Sequence, residues 1–525
     1  MTLGIAPAQQ DIFRSSADYC DERLSPTSIY ALLHREGHRL FPDEAFADLF
    51  QEIGRWSVPP QIVSVVMVLQ RLEGLSDREA VDRFSFDLRW KYAAGGLDFD
   101  HPGFVHTVLV DMRERLRRSE RPDRIFEAAL AVAKSAGLVG RKRVLDSTAL
   151  YDAVATQDTV TLIRSAIRGL LRVADAALAC ELRAVLKRDD DYVAAGKPAC
   201  DWEDPVAREA LVGALARDAY AVLLCLEGRE LLPEVKEAAV LVATVVGQDL
   251  EQREDGVFRI ARRVAPDRVI STVDPEARHG HKTASRSFDG YKGHIAVDPD
   301  SEIIVKTEVT PGNASDASAA PALLSDVLAA EPEANKAAGA EVYGDSSYGT
   351  AELVEQLEGA GVEANVKVQP PSAVKDKYSK AEFTIDLDAR TVRCPAGATV
   401  AIAPTQDGGG LAQFGSQCAG CPLREKCTSS KDGRTIRVHP REGTLQKARA
   451  SQKDPAWKAK YRATRPKVER KFGHMMSRRH GGRRARVRGC VRVSQDFALL
   501  GAAINLKRLA AIGVRHTASG WTRCA

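Results

Sequence analysis

The sequence predicts an α/β fold in which a mixed sheet with flanking helices follows a helical N-terminal domain and is interrupted by two insertions. Short runs rich in Val and Ile, which are typical of strands, occupy 143–148, 293–298, 302–310, 340–346 and 362–368. A long stretch of helical periodicity separates the first of these runs from the second. With 525 residues, of which 44% are hydrophobic, the chain is long enough to bury more than one core.

Helix signals dominate the first part of the chain. An apolar helical run ends at Gly74, and Ser76 with Glu79 forms a capping box that opens the next helix. Two helices joined by a tight turn can read DNA, and the same arrangement is the commonest way to pack a small helical domain. In DLRWKYAAG, Arg89 and Lys91 flank a tryptophan, which favours a DNA contact.

The core is expected to follow the order strand, hairpin, helix, strand, helix, strand. Its first strand, 143–148, should stop at its acid, Asp146, and its helices should cover 319–330 and 351–361. The expected segments are an N-terminal extension (1–24), a helical domain (25–138), the core (139–150 and 264–369), a helical insertion (151–263), a Cys-rich insertion (370–450), a basic helix that ends the core (451–513) and a flexible tail (514–525).

Positive charge is concentrated near the carboxyl end. The formal net charge is only +4, but residues 431–525 hold 25 Lys and Arg against 5 Asp and Glu. Between Lys458 and Arg488 there are 13 cations and one acid, Glu469. An ordinary solvated face mixes both signs, and apolar residues interleave with this run. The pattern therefore favours a polyanionic partner, with nucleic acid first, over a solvated basic tail.

Three isolated carboxylates indicate metal-assisted phosphodiester chemistry. Asp146 in RVLDST and Asp345 in EVYGDSSYG end strand-like runs, and both precede small hydroxyl residues, while Glu469 is the single acid of its basic segment. Two divalent cations about 4 Å apart can activate an attacking oxygen and stabilise a leaving one. Mg²⁺ prefers oxygen ligands of this kind. Either aspartate alone would more often be a turn cap, so the hypothesis depends on the set of three.

The glutamate belongs to a helix with a break in it. Asp454 can cap this helix, and Pro466 should bend or restart it. Arg462, Arg465 and Glu469 stand at i, i+3 and i+7, so we expect one helical stripe. An ion pair between Arg465 and Glu469, worth about 0.3–0.5 kcal/mol, is the structural alternative and is compatible with catalysis.

Four of the ten cysteines form a cluster. Cys394, Cys418, Cys421 and Cys427 fall within 34 residues and supply enough thiolates for a tetrahedral structural Zn²⁺. Residues 370–445 have few large apolar side chains, so a metal would replace a core there. Four reduced structural thiols are the alternative.

The sequence FDGYKGH contains further polar candidates. Asp289, Tyr291, Lys292 and His294 could contact a phosphate. A structural role at the edge of the expected hairpin is an equally good explanation.

Several of these motifs, taken in order, resemble the DDE transposases of bacterial insertion sequences. The resemblance rests on RVLDST, on GYKGHIAVD followed by IIVKTEVTPGNASDASAAPALL, on EVYGDSSYG and on R-x3-E inside a basic helix. CPAG followed by C-x2-C, RARVRG and AAINLKRL look most like the IS1182 group within the wider IS4/IS5-like assemblage. The similarity covers residues 25–510.

The resemblance implies a ribonuclease-H-like catalytic core that binds two Mg²⁺ (or Mn²⁺) ions, with Asp146, Asp345 and Glu469 as the triad. The chain departs from the related families at two places. Arg462 stands seven residues before the glutamate, where they have tyrosine, and Met476 stands seven residues after it, where they have lysine. The expected DNA-binding residues are Arg462, Arg465, Arg478, Arg479, Arg483, Arg484 and Arg486.

We therefore expect a transposase that binds the terminal inverted repeats of its insertion sequence, cleaves there by metal-dependent hydrolysis and joins the 3′-OH ends to target DNA. Its partners would be double-stranded DNA, at the element ends and at the target, and a second copy in a synaptic homodimer. The alternatives are a DNA-binding protein without catalysis, such as a repressor or decayed transposase, and a ribonuclease-H-like nuclease without strand transfer.

The sequence also predicts where the protein works. No positively charged start followed by an apolar core opens the chain, and the longest apolar stretch, 238–246, is too short to cross a bilayer. We expect a cytoplasmic, nucleoid-associated protein of a prokaryotic cell that makes no membrane contact and forms no disulfides.

Overall fold

The computed structural model places helices around a central mixed sheet and adds two further units with small strands of their own. Within the described part of the chain, no helix is long and apolar enough to span a bilayer. The described residues are 1–4, 15–152, 155–189, 192–252, 258–261, 263–283, 285–371 and 374–523.

The first unit packs around one buried helix, α3. Its side chains are buried along all but the last residue, which explains its dense apolar sequence. Gly74 ends it with φ 70°, and a Cβ at this position would lie 2.8 Å from the carbonyl oxygen of Arg479. Ser76 and Glu79 form the predicted capping box. The helices are α1 (Ser16–Cys20), α2 (Ile29–Leu40), α3 (Pro60–Glu73), α4 (Asp77–Phe86), α5 (Leu88–Ala93), α6 (Thr107–Arg118) and α7 (Arg124–Ser135), with a 3₁₀ helix at Asp43–Leu49.

The strand that carries Asp146, β1 (Lys142–Tyr151), is longer than predicted. The expectation that it stops at Asp146 is wrong. Its second half pairs antiparallel with a later strand, from Asp146 opposite Ile295 to Tyr151 opposite Gly290. Because this partner supplies hydrogen bonds beyond the acid, the chain stays extended there.

The helical insertion after β1 has an apolar core of its own. Leu162, Ile163, Leu215 and Val242 are fully buried within it. A short hairpin, which the sequence did not reveal, follows its last helix. The elements are α8 (Thr159–Val173), α9 (Ala176–Val185), α10 (Pro205–Leu226), α11 (Pro233–Asp249), β2 (Leu250–Gln252) and β3 (Phe258–Ile260).

The remaining strands of the central sheet follow the insertion. The predicted hairpin is present, but an additional strand, β4, precedes it, and the predicted helix 319–330 is divided into two short helices. The elements are β4 (Arg278–Thr283), β5 (Arg286–Val297), β6 (Ile304–Pro311), α12 (Asp316–Leu323), α13 (Ser325–Leu328), α14 (Pro332–Ala337), β7 (Glu341–Gly344), α15 (Ala351–Gly359) and β8 (Glu363–Val366).

The sheet combines antiparallel and parallel pairs. Its order is β4-β5-β1-β7-β8, and β6 shares with β4 the edge of β5 that faces away from β1. β5 pairs antiparallel with β1, β4 and β6, whereas β7 pairs parallel with β1 and β8. Alternate side chains of β1 enter different cores, since Val144 belongs to one apolar cluster and Leu145 to another that includes α12 and α15.

The Cys-rich segment contains two three-stranded sheets and a small apolar core. Phe383, Val392, Phe414 and Ile436 are buried in it. The expectation that this segment lacks a core is therefore wrong, because a few apolar residues converge from several short strands. The elements are β9 (Thr384–Asp386), β10 (Thr391–Arg393), β11 (Thr399–Ala401), β12 (Ala403–Pro404), β13 (Gly410–Gln413), α16 (Arg424–Cys427), β14 (Thr435–Val438) and α17 (Glu442–Ser451), with 3₁₀ helices at Lys380–Glu382 and Gly415–Cys418.

The basic segment forms two helices with Arg465 between them, as Pro466 predicted. The expected flexible tail is instead a hairpin up to Arg523, because Val514 is fully buried and Trp521 packs against the main core. The elements are α18 (Pro455–Thr464), α19 (Pro466–Met475), α20 (Cys490–Ala511), β15 (Val514–Thr517) and β16 (Gly520–Arg523), with a 3₁₀ helix at Arg478–His480.

Helix α20 joins the N-terminal helices to the sheet. It contacts α3, α7 and β6 within one continuous apolar cluster. Its Asn505 is fully buried, accepts a hydrogen bond from the backbone N–H of Ile304 at 2.9 Å and donates to the carbonyl oxygen of Ile304 at 2.8 Å. A single side chain thus pairs both backbone groups of a strand residue.

His294 is a second fully buried polar residue of the sheet. Its Nδ1 lies 2.9 Å from the Tyr348 hydroxyl and its Nε2 lies 2.9 Å from the Thr310 hydroxyl. Burial lowers the pKa of His294 to about 4, and nearby Asp316 and Lys292 act on it in opposite directions. The imidazole is therefore neutral at pH 7.

We predict that Asn505→Ala lowers the free energy of unfolding by about 3 kcal/mol, because both backbone groups of Ile304 lose their partners in an apolar interior. Urea unfolding followed by circular dichroism measures this change. Arg492→Ala, at an exposed position of the same helix, is the control and should shift the midpoint little. Equal stabilities of Asn505→Ala and the control would contradict the assigned pairing.

Acid should destabilise the protein partly through His294. Its folded-state pKa of about 4 lies below the ordinary value of 6.5, so the stability present above pH 6.5 is lost as the pH falls towards 4. The loss between pH 7 and pH 5 should be about 2 kcal/mol from this residue. His294→Gln does not titrate in this range and should lose about 2 kcal/mol less. Urea midpoints at the two pH values test this, and identical pH dependences would show that His294 is not held neutral.

Candidate active site

Two of the predicted carboxylates lie at neighbouring positions of parallel strands. β1 and β7 pair with Val144 opposite Tyr343, and two residues further along each strand direction stand Asp146 and Asp345. The Asp146 side chain is 15% exposed and that of Asp345 is 40% exposed. Asp345 accepts a hydrogen bond from the backbone N–H of Ser347 at 2.9 Å, which fixes the turn after β7.

The third carboxylate comes from the helix that packs across β1. α19 contacts β1, and Glu469 stands in its first turn with a side chain that is 62% exposed. Pro466 occupies the first position of α19, where its missing N–H has no helical partner to lose. This break between α18 and α19 places the residue before the proline at the junction of the two helices.

That residue, Arg465, connects the three acids. Its Nη2 lies 2.9 Å from Asp146 Oδ1 and 3.8 Å from Asp345 Oδ2, and its Nη1 lies 3.6 Å from Glu469 Oε1. The Arg465 side chain is only 7% exposed. Carboxylates that are separated by hundreds of residues in sequence therefore meet around one guanidinium.

Burial and charge act against each other in this cluster. Burial raises the pKa of Asp146, and the positive charge of Arg465 partly reverses the effect while Asp345 adds to it. Burial disfavours the charged form of Arg465, but the charge and hydrogen bond of Asp146, together with the charge of Asp345, outweigh this and raise the pKa of the guanidinium. The charged form of Asp146 is thus supported by the cation beside it.

Tyr461 lies against the same cluster, whereas Arg462 does not. The Tyr461 hydroxyl donates to the Gly344 carbonyl oxygen at 3.2 Å, and its ring stacks on Trp457 with centroids 4.9 Å apart. Burial raises the pKa of Tyr461 to about 12. Arg462 is exposed and forms no ion pair with any described residue. The backbone of Arg465 keeps helical angles (φ −56°, ψ −40°) between α18 and α19, and Arg465 contacts Glu469 four residues further on, so the expected stripe stays a prediction.

The opposite face of β1 carries a polar group that joins the predicted phosphate candidate Lys292 to Asp316, an acid that the sequence analysis did not single out. The Ser147 hydroxyl donates to Asp316 Oδ2 at 2.6 Å, and Lys292 Nζ lies 2.8 Å from Asp316 Oδ1. Lys292 also donates to the Ala314 carbonyl oxygen at 2.8 Å. The sequence does not reveal the contact of Asp316 with Ser147, because the two residues are 169 positions apart. The local feature that marks Asp316 as a polar candidate is its place at the start of α12, in NASDAS.

Most of the predicted DNA-binding arginines after α19 are accessible. Arg478, Arg479, Arg483 and Arg484 are exposed and form no ion pair with any described residue. Arg486 differs, because its guanidinium donates to the carbonyl oxygen of Leu75 in the N-terminal helical unit. Four of these five side chains are therefore free to contact a polyanion.

Some of the earlier candidates are buried or already paired. Tyr291 is fully buried and donates to Asp274 at 2.7 Å, and His294 is fully buried, so neither can contact a phosphate. Trp90 and Lys91 are also buried, the lysine donating to the Phe99 carbonyl oxygen. At these positions the structural alternative fits better, because the side chains pack inward; Arg89 beside Trp90 is exposed but pairs with Asp87 at 2.5 Å. Asp289 is shared by His279, at 2.7 Å, and Thr156, at 2.5 Å.

The four clustered cysteines line one cavity of about 250 Å³. Cys418 and Cys427 are each 8% exposed, and the backbone N–H of Arg434 donates to Cys418 Sγ at 3.4 Å. Burial raises the pKa of Cys427, and the other three thiols add to this effect, so all four are close enough to interact. The set is Cys394, Cys418, Cys421 and Cys427.

The described residues contain no preformed metal site: no group of three or more His, Cys, Asp or Glu side chains among them is already arranged to hold a metal ion. Around Asp146 the central position belongs to the Arg465 guanidinium. The donor chemistry nevertheless fits: the carboxylates are hard oxygen ligands suited to Mg²⁺, and the thiols are soft ligands suited to Zn²⁺.

Comparison with known protein families gives two matches in separate parts of the chain. The transposase DDE domain family matches residues 393–510, a range that includes the clustered cysteines, Arg465 and Glu469. A transposase domain family of otherwise undefined role (DUF772) matches residues 21–115, the N-terminal helices. No curated protein and no solved structure matches the chain. The two family matches, together with the mixed α/β fold, support a DDE transposase, that is, a DNA-processing enzyme.

Proposed function

We propose that this protein is a DNA transposase that binds the terminal inverted repeats of its insertion sequence, cleaves the DNA there and joins the freed 3′-OH ends to target DNA. The observation that carries the proposal is the meeting of Asp146, Asp345 and Glu469 around Arg465. Both family matches are to transposase domains and support the same conclusion. The sheet, antiparallel on one side of β1 and parallel on the other, supports a ribonuclease-H-like core. The narrower IS1182 assignment stays a prediction.

Asp146, Asp345 and Glu469 would hold two Mg²⁺ or Mn²⁺ ions. Such ions activate an attacking oxygen and stabilise the leaving oxygen. Asp146, the most buried of the three, and Asp345 would supply oxygen ligands from β1 and the turn after β7. Glu469, with its exposed side chain, would supply one from the first turn of α19. The paired strands and the helix packed on β1 keep the three acids near one another.

The residues around the triad would position the phosphate. In hydrolysis a water oxygen forms a bond to phosphorus, the bond to the 3′ oxygen breaks, and the proton of the water passes to solvent. In joining, the freed 3′ hydroxyl attacks a target phosphate in the same way and the target 3′ oxygen leaves. Arg465 can transfer its hydrogen bonds from the carboxylates to a non-bridging phosphate oxygen, because it reaches all three acids from one position. Tyr461 anchors the end of α18 to the strand end at Gly344.

The exposed arginines after α19 would bind the DNA backbone. Arg478, Arg479, Arg483 and Arg484 have no competing carboxylate among the described residues, so each can neutralise a phosphate. Binding should then weaken steeply as salt rises, by close to one power of the salt concentration for each phosphate contact. Because two element ends must be brought together, we infer that the active form contains two copies of the chain.

We also propose that the four clustered cysteines bind one structural Zn²⁺. The support is their shared cavity, the interaction among the four thiols and the backbone N–H that Arg434 directs at Cys418. Zn²⁺ would lower the thiol pKa values and pull the four sulfurs together.

Asp146→Asn, Asp345→Asn and Glu469→Gln should each reduce Mg²⁺-dependent nicking of supercoiled DNA carrying the element ends by about a thousandfold or more, because each removes a charged metal ligand. Fluorescence anisotropy should show DNA binding within about twofold of the wild type, since the arginines are unchanged. Asp388→Asn, at an exposed site of the Cys-rich segment, is the matched control and should nick normally. Nicking that survives all three changes would show that these carboxylates are not the active site, whereas a wild type that binds the ends without nicking them would be a DNA-binding protein without catalysis. Cleavage without joined product would indicate a nuclease.

Elemental analysis of the purified protein should find about one zinc per chain, and Cys418→Ser with Cys421→Ser should remove it, because two of four thiolates are lost. The control is Cys180→Ser, an exposed cysteine outside the cluster, which should retain the metal. If wild-type protein from zinc-supplemented medium contained no zinc, the four cysteines would be reduced structural thiols instead.

A further inference from the structure

The part of the central sheet beyond the triad extends as a narrow ribbon. After Asp146, β1 continues to Tyr151, which lies opposite Gly290 of β5. β5 itself begins four residues before Gly290 and is paired there with β4. We call the hairpin of β4 and the first residues of β5, described at 278–283 and 286–290, the distal hairpin.

The distal hairpin carries cations that nothing in the described structure neutralises. Lys282 and Arg286 are exposed and form no ion pair with a described residue, and His281 is exposed beside them. Two acids of this region are already engaged: Asp289 pairs with His279 at 2.7 Å, and Asp267 with Arg278 at 2.7 Å. The hairpin end therefore presents positive charge to solvent.

A second row of cations flanks the same end of β1. The backbone N–H of Tyr151 donates to the Arg483 carbonyl oxygen at 2.9 Å, and the N–H of Ala485 donates to the Tyr151 carbonyl oxygen at 2.8 Å. The segment 483–485 thus forms an isolated parallel bridge with Tyr151, and its exposed Arg483 and Arg484 lie on one side of Tyr151 while β5 lies on the other. The Tyr151 ring is 44% exposed between them.

The distance between the distal hairpin and the candidate active site can be estimated along β5. Lys292 of β5 touches Asp316, which holds Ser147 beside Asp146. Asp146 lies opposite Ile295 of β5, and Arg286 lies nine residues before Ile295 on the same strand, a span of about 30 Å in an extended strand. The same length of duplex corresponds to about nine base pairs.

We propose that the distal hairpin is a second DNA-contact site, which binds the phosphate backbone of duplex DNA about nine base pairs from the cleaved bond through Lys282 and Arg286. This inference rests on the proposed function and adds to it a contact outside the arginine-rich segment. Lys and Arg neutralise phosphates whatever the base sequence, so the contact should add affinity for any duplex. Together with Arg483 and Arg484, the distal hairpin would hold the duplex along the end of β1 and direct the end of the DNA towards Asp146, Asp345 and Glu469.

The test compares the full-length protein with Lys282→Ala/Arg286→Ala, using a duplex that carries the terminal inverted repeat and an unrelated duplex of equal length. The double variant should bind both about tenfold more weakly near 0.15 M salt, and the slope of log affinity against log salt should fall by about two, one unit for each lost phosphate contact. Arg208→Ala/Lys236→Ala, two exposed cations of the helical insertion, is the control and should match the wild type. A charge-reversal pair, Lys282→Glu/Arg286→Glu, should weaken binding further.

Phosphate ethylation interference locates the contact. The wild type should show interfering phosphates about nine nucleotides from the cleaved bond, and the double variant should lose these alone. Unchanged affinity, slope and interference in the variant would overturn the hairpin assignment and leave the proposed function intact. A wild type that binds neither duplex would overturn both.

Discussion

The arrangement of the candidate active site depends on one charge interaction, that of the Arg465 guanidinium with three carboxylates. Asp146 is largely removed from water, and its neighbours Asp345 and Glu469 are also acids, so bringing them together without a cation would be unfavourable. Arg465 supplies the cation from the junction of α18 and α19. The proline that follows it ends one helix and starts the next, and this turn allows a single side chain to reach a strand, a strand end and a helix.

The surrounding fold provides the rigidity that such a cluster requires. α20 packs against α3, α7 and β6, so the N-terminal helices and the sheet share one apolar core. Polar contacts reinforce the junction: Arg71 pairs with Asp496 at 3.1 Å, and Asn505 satisfies both backbone groups of Ile304. Because the strand that carries Asp146 is paired on both edges, its carboxylate has little freedom to move away from Arg465.

Local signals in the sequence were sufficient for most elements and for the three acids, but not for their surroundings. The capping box at Ser76, the break at Pro466 and the alternation of strands and helices from 293 onwards all depend on residues close in sequence, and the structure contains them. The extension of β1 to Tyr151 and the presence of β4 depend on pairing between distant segments, which periodicity does not reveal. The same limit applies to the site. Asp316 is recognised only through its bond to Ser147, and the burial of Lys91 only through packing, although its sequence context looks exposed.

The helical insertion illustrates how such an architecture can change over time. Its apolar residues contact one another in a cluster separate from the main core, and it lies in the chain between the end of β1 at Tyr151 and the start of β4 at Arg278. A unit that satisfies its own hydrophobic surface can open as a local cooperative element while the catalytic sheet stays folded. Substitutions within the insertion should therefore change the positions of Asp146, Asp345 and Glu469 little. This region can diverge in sequence, or acquire a new binding partner, while the active site is retained.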